Sequence, residues 1–168
     1  KVLEASATSG SVATASNTAT LVDQLRKLTH QALTLEIETP RTFKESVDLF
    51  RIGKAEVEAN PDGIDFSGPF FELLHATGQF TREAALDPTS SSFAQGKASV
   101  LENTDTAMAH IGQVTQTNTR RDQIAAGRDW VRINLAAAGL GLGTQPLSQA
   151  LQEFPEMKPH YEAAHILL

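Results

Sequence analysis

The chain has no cysteine, one tryptophan, one tyrosine and two methionines among its 168 residues. Without thiols it can form no disulfide, bind no metal through thiolate and use no cysteine nucleophile. Positive charge is also scarce: 14 Lys and Arg against 20 Asp and Glu leave a net charge of -6. A general binder of nucleic acid or of an anionic membrane would present a basic surface, so this balance argues against both, while still allowing a local basic pocket. No apolar run approaches the roughly 18–20 residues that a membrane helix needs. The Gly-x-Ser-x-Gly nucleophile elbow is missing, as is the His-Glu-x-x-His pair of zinc proteases, and the five histidines do not cluster.

What is present reads mainly as helix. Residues 1–20, rich in Ser, Thr, Ala and Gly from Ala5 on, read as a flexible leader or loop. Leu21, Leu25, Leu28, Ala32 and Leu35 then make a stripe at helical spacing, predicting a helix over 20–37. A second helix is expected over 42–59, with Phe43, Val47, Phe50 and Val57 on one side. Asn60-Pro61-Asp62-Gly63 is a turn signal, with Asp62 structural. Pro69 opens a short helix through Phe70, Phe71, Leu74 and His75, which Gly78 ends. Asp87 to Ser92 reads as a loop with a capping residue, followed by a helix over 93–102.

Residues 107–115 alternate small and apolar side chains on both faces and read as a buried strand, the one convincing strand of the chain, with His110 as a satisfied core group. Helices dominate with one or two strands, too few for a stable sheet alone, so partner strands are expected outside these residues or in another subunit. A long helix is expected over 120–140, capped by Thr117 or Asn118 and ended by Gly141 and Gly143. An extended piece at 144–147, a helical turn at 148–152 and a last helix opened by Pro155 and Pro159 complete the reading. That last stripe runs to Leu168 without a cap, and the sequence starts at Lys1, so a piece of a longer protein is expected.

Three features of this later half bear on chemistry. Arg128 falls on the stripe Ile124, Arg128, Val131, Leu135, Ala138 and Leu142. A partly buried guanidinium there needs an anion: a phosphate, which its fork geometry suits, or a local carboxylate, unless the side chain snorkels at the edge. Asn118, Arg120 and Arg121 stand at the helix start, where a phosphate or a surface carboxylate would offset two cations that oppose the helix dipole. Gly139, Gly141 and Gly143 follow a helix and not a strand, so they are not a dinucleotide fingerprint; helix termination and tight packing account for them. Trp130 and Phe93 are most simply core or dimer contacts.

The run Gln123 to Met157, above all Gly127-Arg128, Leu135 to Ala138 and Pro146-Leu147-Ser148-Gln149, resembles the flavin-binding part of the nitroreductase superfamily. Within that superfamily it is similar to the divergent branch that often carries a twin-arginine export signal. Asn60 to Ile64 and Thr115 to Arg121 stand in the matching order, and the resemblance extends over most of 42–168. It implies an α+β nitroreductase-like fold, here a partial domain over 21–168, a homodimer, and FMN at the dimer interface. It implies FMN contacts from Pro146, Leu147, Ser148 and Gln149 at the ring and from Arg128 or Arg121 at the phosphate or ring edge. Electrons would pass from NAD(P)H through the flavin to a nitro compound, a quinone or a similar small acceptor, and a twin-arginine signal would lie upstream of Lys1. The sequence departs from the pattern at Ser148, where many members carry an acidic residue, and lacks the early arginine-rich phosphate motif and the later basic strand. Two other readings stand beside this one: a flavin-sequestering protein without turnover, and a helical interaction domain without cofactor.

Overall fold

The computed structural model describes residues Lys1–Leu168. In chain order its elements are α1 (Val2–Ala5), β1 (Val12–Ser16), α2 (Ala19–Glu38), α3 (Pro40–Asp48), β2 (Phe50–Ile52), α4 (Lys54–Ala59), β3 (Ile64–Phe66), α5 (Pro69–Ala76), α6 (Arg82–Leu86), α7 (Ser91–Asp105), β4 (His110–Val114), α8 (Arg120–Gly139) and α9 (Lys158–Leu167). Two 3₁₀ turns, Gln149–Leu151 and Pro155–Met157, precede α9. Helices dominate and the strands form two separate two-stranded sheets, an α+β arrangement. The chain divides into two units: Lys1–Thr29 with Asp105–Leu168, and His30–Thr104.

In the discontinuous unit, β1 pairs antiparallel with β4 from Val12 opposite Val114 to Ser16 opposite His110. The partner of the expected strand is therefore inside the chain, in the segment whose composition reads as a leader. β4 is half-buried and not fully enclosed, and it is one of four strands. Alternation puts Ala13, Ala15, Ile111 and Gln113 on one face of this ribbon. Gln113 donates from Nε2 to the Ala126 carbonyl of α8 at 2.8 Å, which sets that face toward the helix. Across the ribbon, a Cβ on Gly112 would come within 2.8 Å of a Leu168 side-chain carbon, so the last residue packs close over the opposite face. Val22, Leu25, Leu28, Ile133, Ala137, Ala150, Met157 and Ala164 are the buried apolar residues of this unit.

α8 begins and ends by local chemistry. Thr119, not Thr117 or Asn118, is the cap: its hydroxyl accepts the Asp122 N–H at 3.3 Å, and the Asp122 carboxylate accepts the Thr119 N–H at 3.0 Å. This reciprocal pair satisfies two of the open donors of the first turn. At the other end Gly141 adopts φ +73°, the Leu142 N–H reaches the Ala137 carbonyl at 2.9 Å and the Gly141 N–H reaches Ala138 at 3.0 Å. That left-handed closure is open to glycine at little cost.

The continuous unit is built on phenylalanine. Phe50 and Phe66, on neighbouring strands, have ring centroids 4.6 Å apart, and Phe80 and Phe71 lie 5.0 and 5.1 Å from Phe66. Val47, Ile52 and Ala85 are buried in the same cluster. Each such aromatic pair adds about 0.5–1.5 kcal/mol beyond its area. The single helix expected over 42–59 is broken here into α3, β2 and α4. Gly53 takes φ +85°, which separates strand from helix, and Phe50-Arg51-Ile52 pairs in parallel with Ile64-Asp65-Phe66. The turn before β3 demands glycine: Gly63 has φ +84°, and a Cβ there would sit 2.3 Å from the Leu49 carbonyl oxygen. Asp62 is structural, paired with Arg51 at 3.0 Å. α6 was not apparent from periodicity; Thr81 caps it by accepting the Ala84 N–H at 3.1 Å.

Candidate functional site

The most organised polar group in the chain is one the sequence did not single out. Asp129 lies mid-way along α8 with no exposed surface. One carboxylate oxygen accepts the Thr8 and Ser9 N–H groups at 2.9 and 2.7 Å; the other accepts the Ser11 N–H at 3.2 Å and the Ser11 hydroxyl at 2.7 Å. Arg132, one turn on, approaches the first oxygen at 3.2 Å and also donates to the Ser9 hydroxyl. Gln113 of β4 donates to the Ser11 Oγ at 2.8 Å. Burial alone would raise the Asp129 pKa, but the Ser11 hydroxyl and the Ser11, Thr8 and Ser9 N–H groups outweigh it and hold the carboxyl far below its usual range. Every acceptor position of this anion is occupied. It cannot take a proton from a substrate, and its role is to fasten residues 8–11 to α8.

The expected stripe on α8 is turned the other way. The buried face carries Asp129, Ile133 and Ala137, whereas Ile124, Val131, Leu135 and Leu142 are about half or more exposed. Arg128 is accordingly exposed and joins no ion pair, so no buried cation calls for an anion there. Arg121 is also exposed. At the helix start, the chain's own carboxylate occupies the ground offered to a phosphate: Asp122 accepts from the Thr117 and Thr119 hydroxyls and the Thr119 N–H. The Thr117 hydroxyl, then the Thr119 groups, hold the Asp122 carboxyl below its usual range. Arg120 and Asn118 contact Gln123 at 3.4 and 3.1 Å, a surface network.

After α8 the chain has no regular secondary structure up to the turn at Gln149, with Thr144 donating to Asn134 Oδ1 at 3.0 Å. Pro146 and Ser148 are exposed, Leu147 is half-buried, and the Ser148 carbonyl accepts the Leu151 N–H at 2.9 Å. Gln149 is half-buried, and its side-chain carbonyl oxygen is enclosed without a hydrogen-bond partner. Glycines 139, 141 and 143 have open space where a Cβ would stand, so tight packing does not explain them; Gly141 is explained by its positive φ. A shallow cleft of about 350 Å³ lies among Gln152, Phe154, Pro155, Lys158 and Tyr161, and none of the six residues expected to contact a flavin lines it.

The expected flavin contacts thus fit the group in one respect. Gln149 offers an unsatisfied acceptor of the kind the N–H edge of the ring would fill. Arg121 and Arg128, seven residues and roughly 10 Å apart along the helix, make no joint cradle for a phosphate. His110 departs from expectation as well: both ring nitrogens lack a partner, and burial, aided by the charge of Arg26, pushes its pKa down. No three acidic, histidine or cysteine side chains are grouped to hold a metal ion, and no helix is long and apolar enough to cross a membrane. The chain matches no protein-family model, no curated protein and no solved structure.

Proposed function

We propose that the chain is part of a flavoprotein of nitroreductase type, a homodimer with FMN that moves electrons from NAD(P)H to a nitro compound, a quinone or a similar acceptor. The sequence resemblance over Gln123 to Met157 is the origin of this reading. The observation that carries it is Gln149, whose buried side-chain carbonyl has no donor. Leaving such an acceptor unpaired costs about 1–3 kcal/mol, which a ligand N–H would recover. FMN, when bound, supplies the hydride and electron chemistry. This chain's part is to bind and orient: Pro146 fixes the backbone ahead of the exposed Ser148, and Gln149 reads a polar edge. The neutral Ser148 gives no proton near the ring, and that favours a second reading in which flavin is held without turnover. The exposed apolar face of α8 favours a third, an interaction domain without cofactor.

An absorbance spectrum of the purified protein, with mass spectrometry of released ligand, separates the three. Flavin bands with the mass of FMN, bleached by NAD(P)H, are expected; binding should weaken about tenfold in Gln149→Leu, the loss of one hydrogen bond of about 1.4 kcal/mol. Flavin bands that NAD(P)H does not bleach would select the second reading. A spectrum that stays flat after FMN is added would overturn both flavin readings.

A further inference from the structure

The cleft beside α9 has a chemistry of its own. Glu153, Phe154 and Pro155, which precede the helix, line it together with Lys158, Tyr161 and Glu162 of the helix itself. Its volume of about 350 Å³ falls at the small end of the range of ligand sites. Phe154 and Tyr161 are half-buried. The Tyr161 ring is held in place: it stacks on His165 with centroids 4.1 Å apart, and His165 Nδ1 donates to the Tyr161 carbonyl at 2.8 Å. Two of the three charged groups are carboxylates. Glu153 is exposed, and no ion pair or hydrogen bond claims it. Glu162 has Lys158 at 3.9 Å, with the two side chains 63% and 75% exposed, so that pair holds little.

We propose that this cleft binds a small organic cation, an ammonium group carried on an aromatic body. The negative faces of the Phe154 and Tyr161 rings attract a cation, and the same rings pack against an apolar body. Pro155 adds a rigid apolar wall. The sign of the ligand follows from the charges. Glu153 and Glu162 stand against Lys158 alone, and the net charge of -6 on the chain adds a general attraction for cations. An anion would find only the Lys158 ammonium, already beside Glu162, and would be repelled by the unclaimed Glu153. Exposed carboxylates each contribute modestly, so a cation the size of 2-phenylethylammonium is expected to bind with a Kd on the order of 1 mM. None of the residues named for the flavin lines the cleft, and cation binding there needs no flavin.

Tyr161 is the single tyrosine of the chain, so the cleft carries its own reporter. The 168-residue chain labelled with ring-¹³C tyrosine gives one set of tyrosine ring resonances. These are followed by NMR at constant ionic strength during titration with 2-phenylethylammonium chloride, with the neutral 2-phenylethanol and with the anion phenylacetate. A saturable shift is expected with the cation, and binding about tenfold weaker or less with the other two. In the E153Q/E162Q variant the cation should bind about fivefold more weakly, and in K158A about two- to threefold more tightly. No saturable shift at twenty times the expected Kd overturns the proposal. Equal responses to all three probes would mean apolar contact only, and tighter binding of phenylacetate, lost in K158A, would mean an anion site; either overturns it. So does a double variant that keeps its fold by circular dichroism and binds the cation as the wild type does. Should the double variant lose helix content, E153Q alone decides, because no bond in the structure uses that carboxylate. The flavin spectrum read on the same samples is independent: a colourless chain that binds the cation sinks the flavin reading alone, and a yellow chain that does not bind it sinks this one alone.

Discussion

Asp129→Asn is the most demanding change that preserves shape. The wild-type carboxylate accepts two backbone N–H groups and the half-exposed Arg132 guanidinium on one oxygen and an N–H and a hydroxyl on the other, with no surface exposed. In the amide, one of those oxygens becomes an NH₂ group facing at least two donors. Its better orientation turns the NH₂ toward Ser11, whose hydroxyl can rotate to accept; the Ser11 N–H then has no acceptor. One orphaned buried donor costs about 1–3 kcal/mol, and the remaining bonds lose the part that came from the negative charge, about 1 kcal/mol each. The sum is about 3–5 kcal/mol, against a total stability of about 5–15 kcal/mol for a domain of this kind. Urea unfolding followed by circular dichroism measures the loss, and amide hydrogen exchange at Thr8, Ser9 and Ser11 locates it. Ser11→Ala, which removes one hydroxyl, should cost only about 1–2 kcal/mol. If Asp129→Asn unfolds within about 0.5 kcal/mol of wild type and the three amides keep their protection, the account of this carboxylate as the fastening of residues 8–11 is refuted.

Three further outcomes are expected. Glu56 is held down to about 2 by the Arg82 guanidinium, bonded at 2.6 and 3.2 Å, and by the Ile52 N–H. Its folded pKa lies below the unfolded 4.5, so its stabilisation is complete above that value and fades as pH falls from 4.5 toward 2. Both side chains are more than a third exposed, so the effect is a modest one; Glu56→Gln should flatten this part of the acid-unfolding curve. His110 has the opposite proton preference from a paired histidine: its folded pKa is depressed below 6.5, so stability is full above 6.5 and declines as pH drops below it. The urea midpoint should fall between pH 7.5 and 5.5, and His110→Leu should remove that fall; a midpoint that rises on acidification would contradict the burial argument. Gly63→Ala forces a Cβ against the Leu49 carbonyl at 2.3 Å in a left-handed turn, and should cost about 3 kcal/mol or more by thermal unfolding. Gly143→Ala, with nothing within 4 Å, should cost little.

The sequence made the helices legible wherever their signals were local. α2, α5, α7 and α8 are declared by stripes, prolines and capping residues within a few positions of their ends. Asn60 to Gly63 turns as expected because Pro61 fixes its own φ and Gly63 admits a positive one. What could not be read depends on distant partners. Val12-Ala-Thr-Ala-Ser16 has the composition of a loop and becomes a strand because β4 supplies its ladder and Asp129 anchors the residues before it. Phe50-Arg51-Ile52 continues an acceptable helical pattern and becomes a strand because Ile64 to Phe66 pair with it. α8 has an apolar stripe on one side and Ile133 and Ala137 beside a carboxylate on the other. Hydrophobicity alone selects Ile124, Val131 and Leu135 as the core face. The buried face is chosen instead by donors 118 to 121 residues earlier in the chain. The same reversal brings Arg128 to the surface and takes away the reason to expect an anion beside it. Gln149 was among the residues the resemblance named, but no pattern in the sequence could show that its carbonyl lacks a donor.

The division of the chain has a consequence for its synthesis. The unit that contains β1 is completed only by β4 and α8, whereas residues His30–Thr104 form a unit of their own between them. As the chain leaves the ribosome, the middle unit can fold while β1 still waits for its ladder. At about 5–20 residues per second, the roughly hundred residues between the two strands represent a delay on the order of 5–20 s. During that time an unpaired strand is open to pairing with other chains. Val12-Ala-Thr-Ala-Ser16 has a single large apolar side chain, so it offers a neighbouring nascent chain little to adhere to. The composition that hides this strand from a reader of the sequence also keeps it inert until its partner is made.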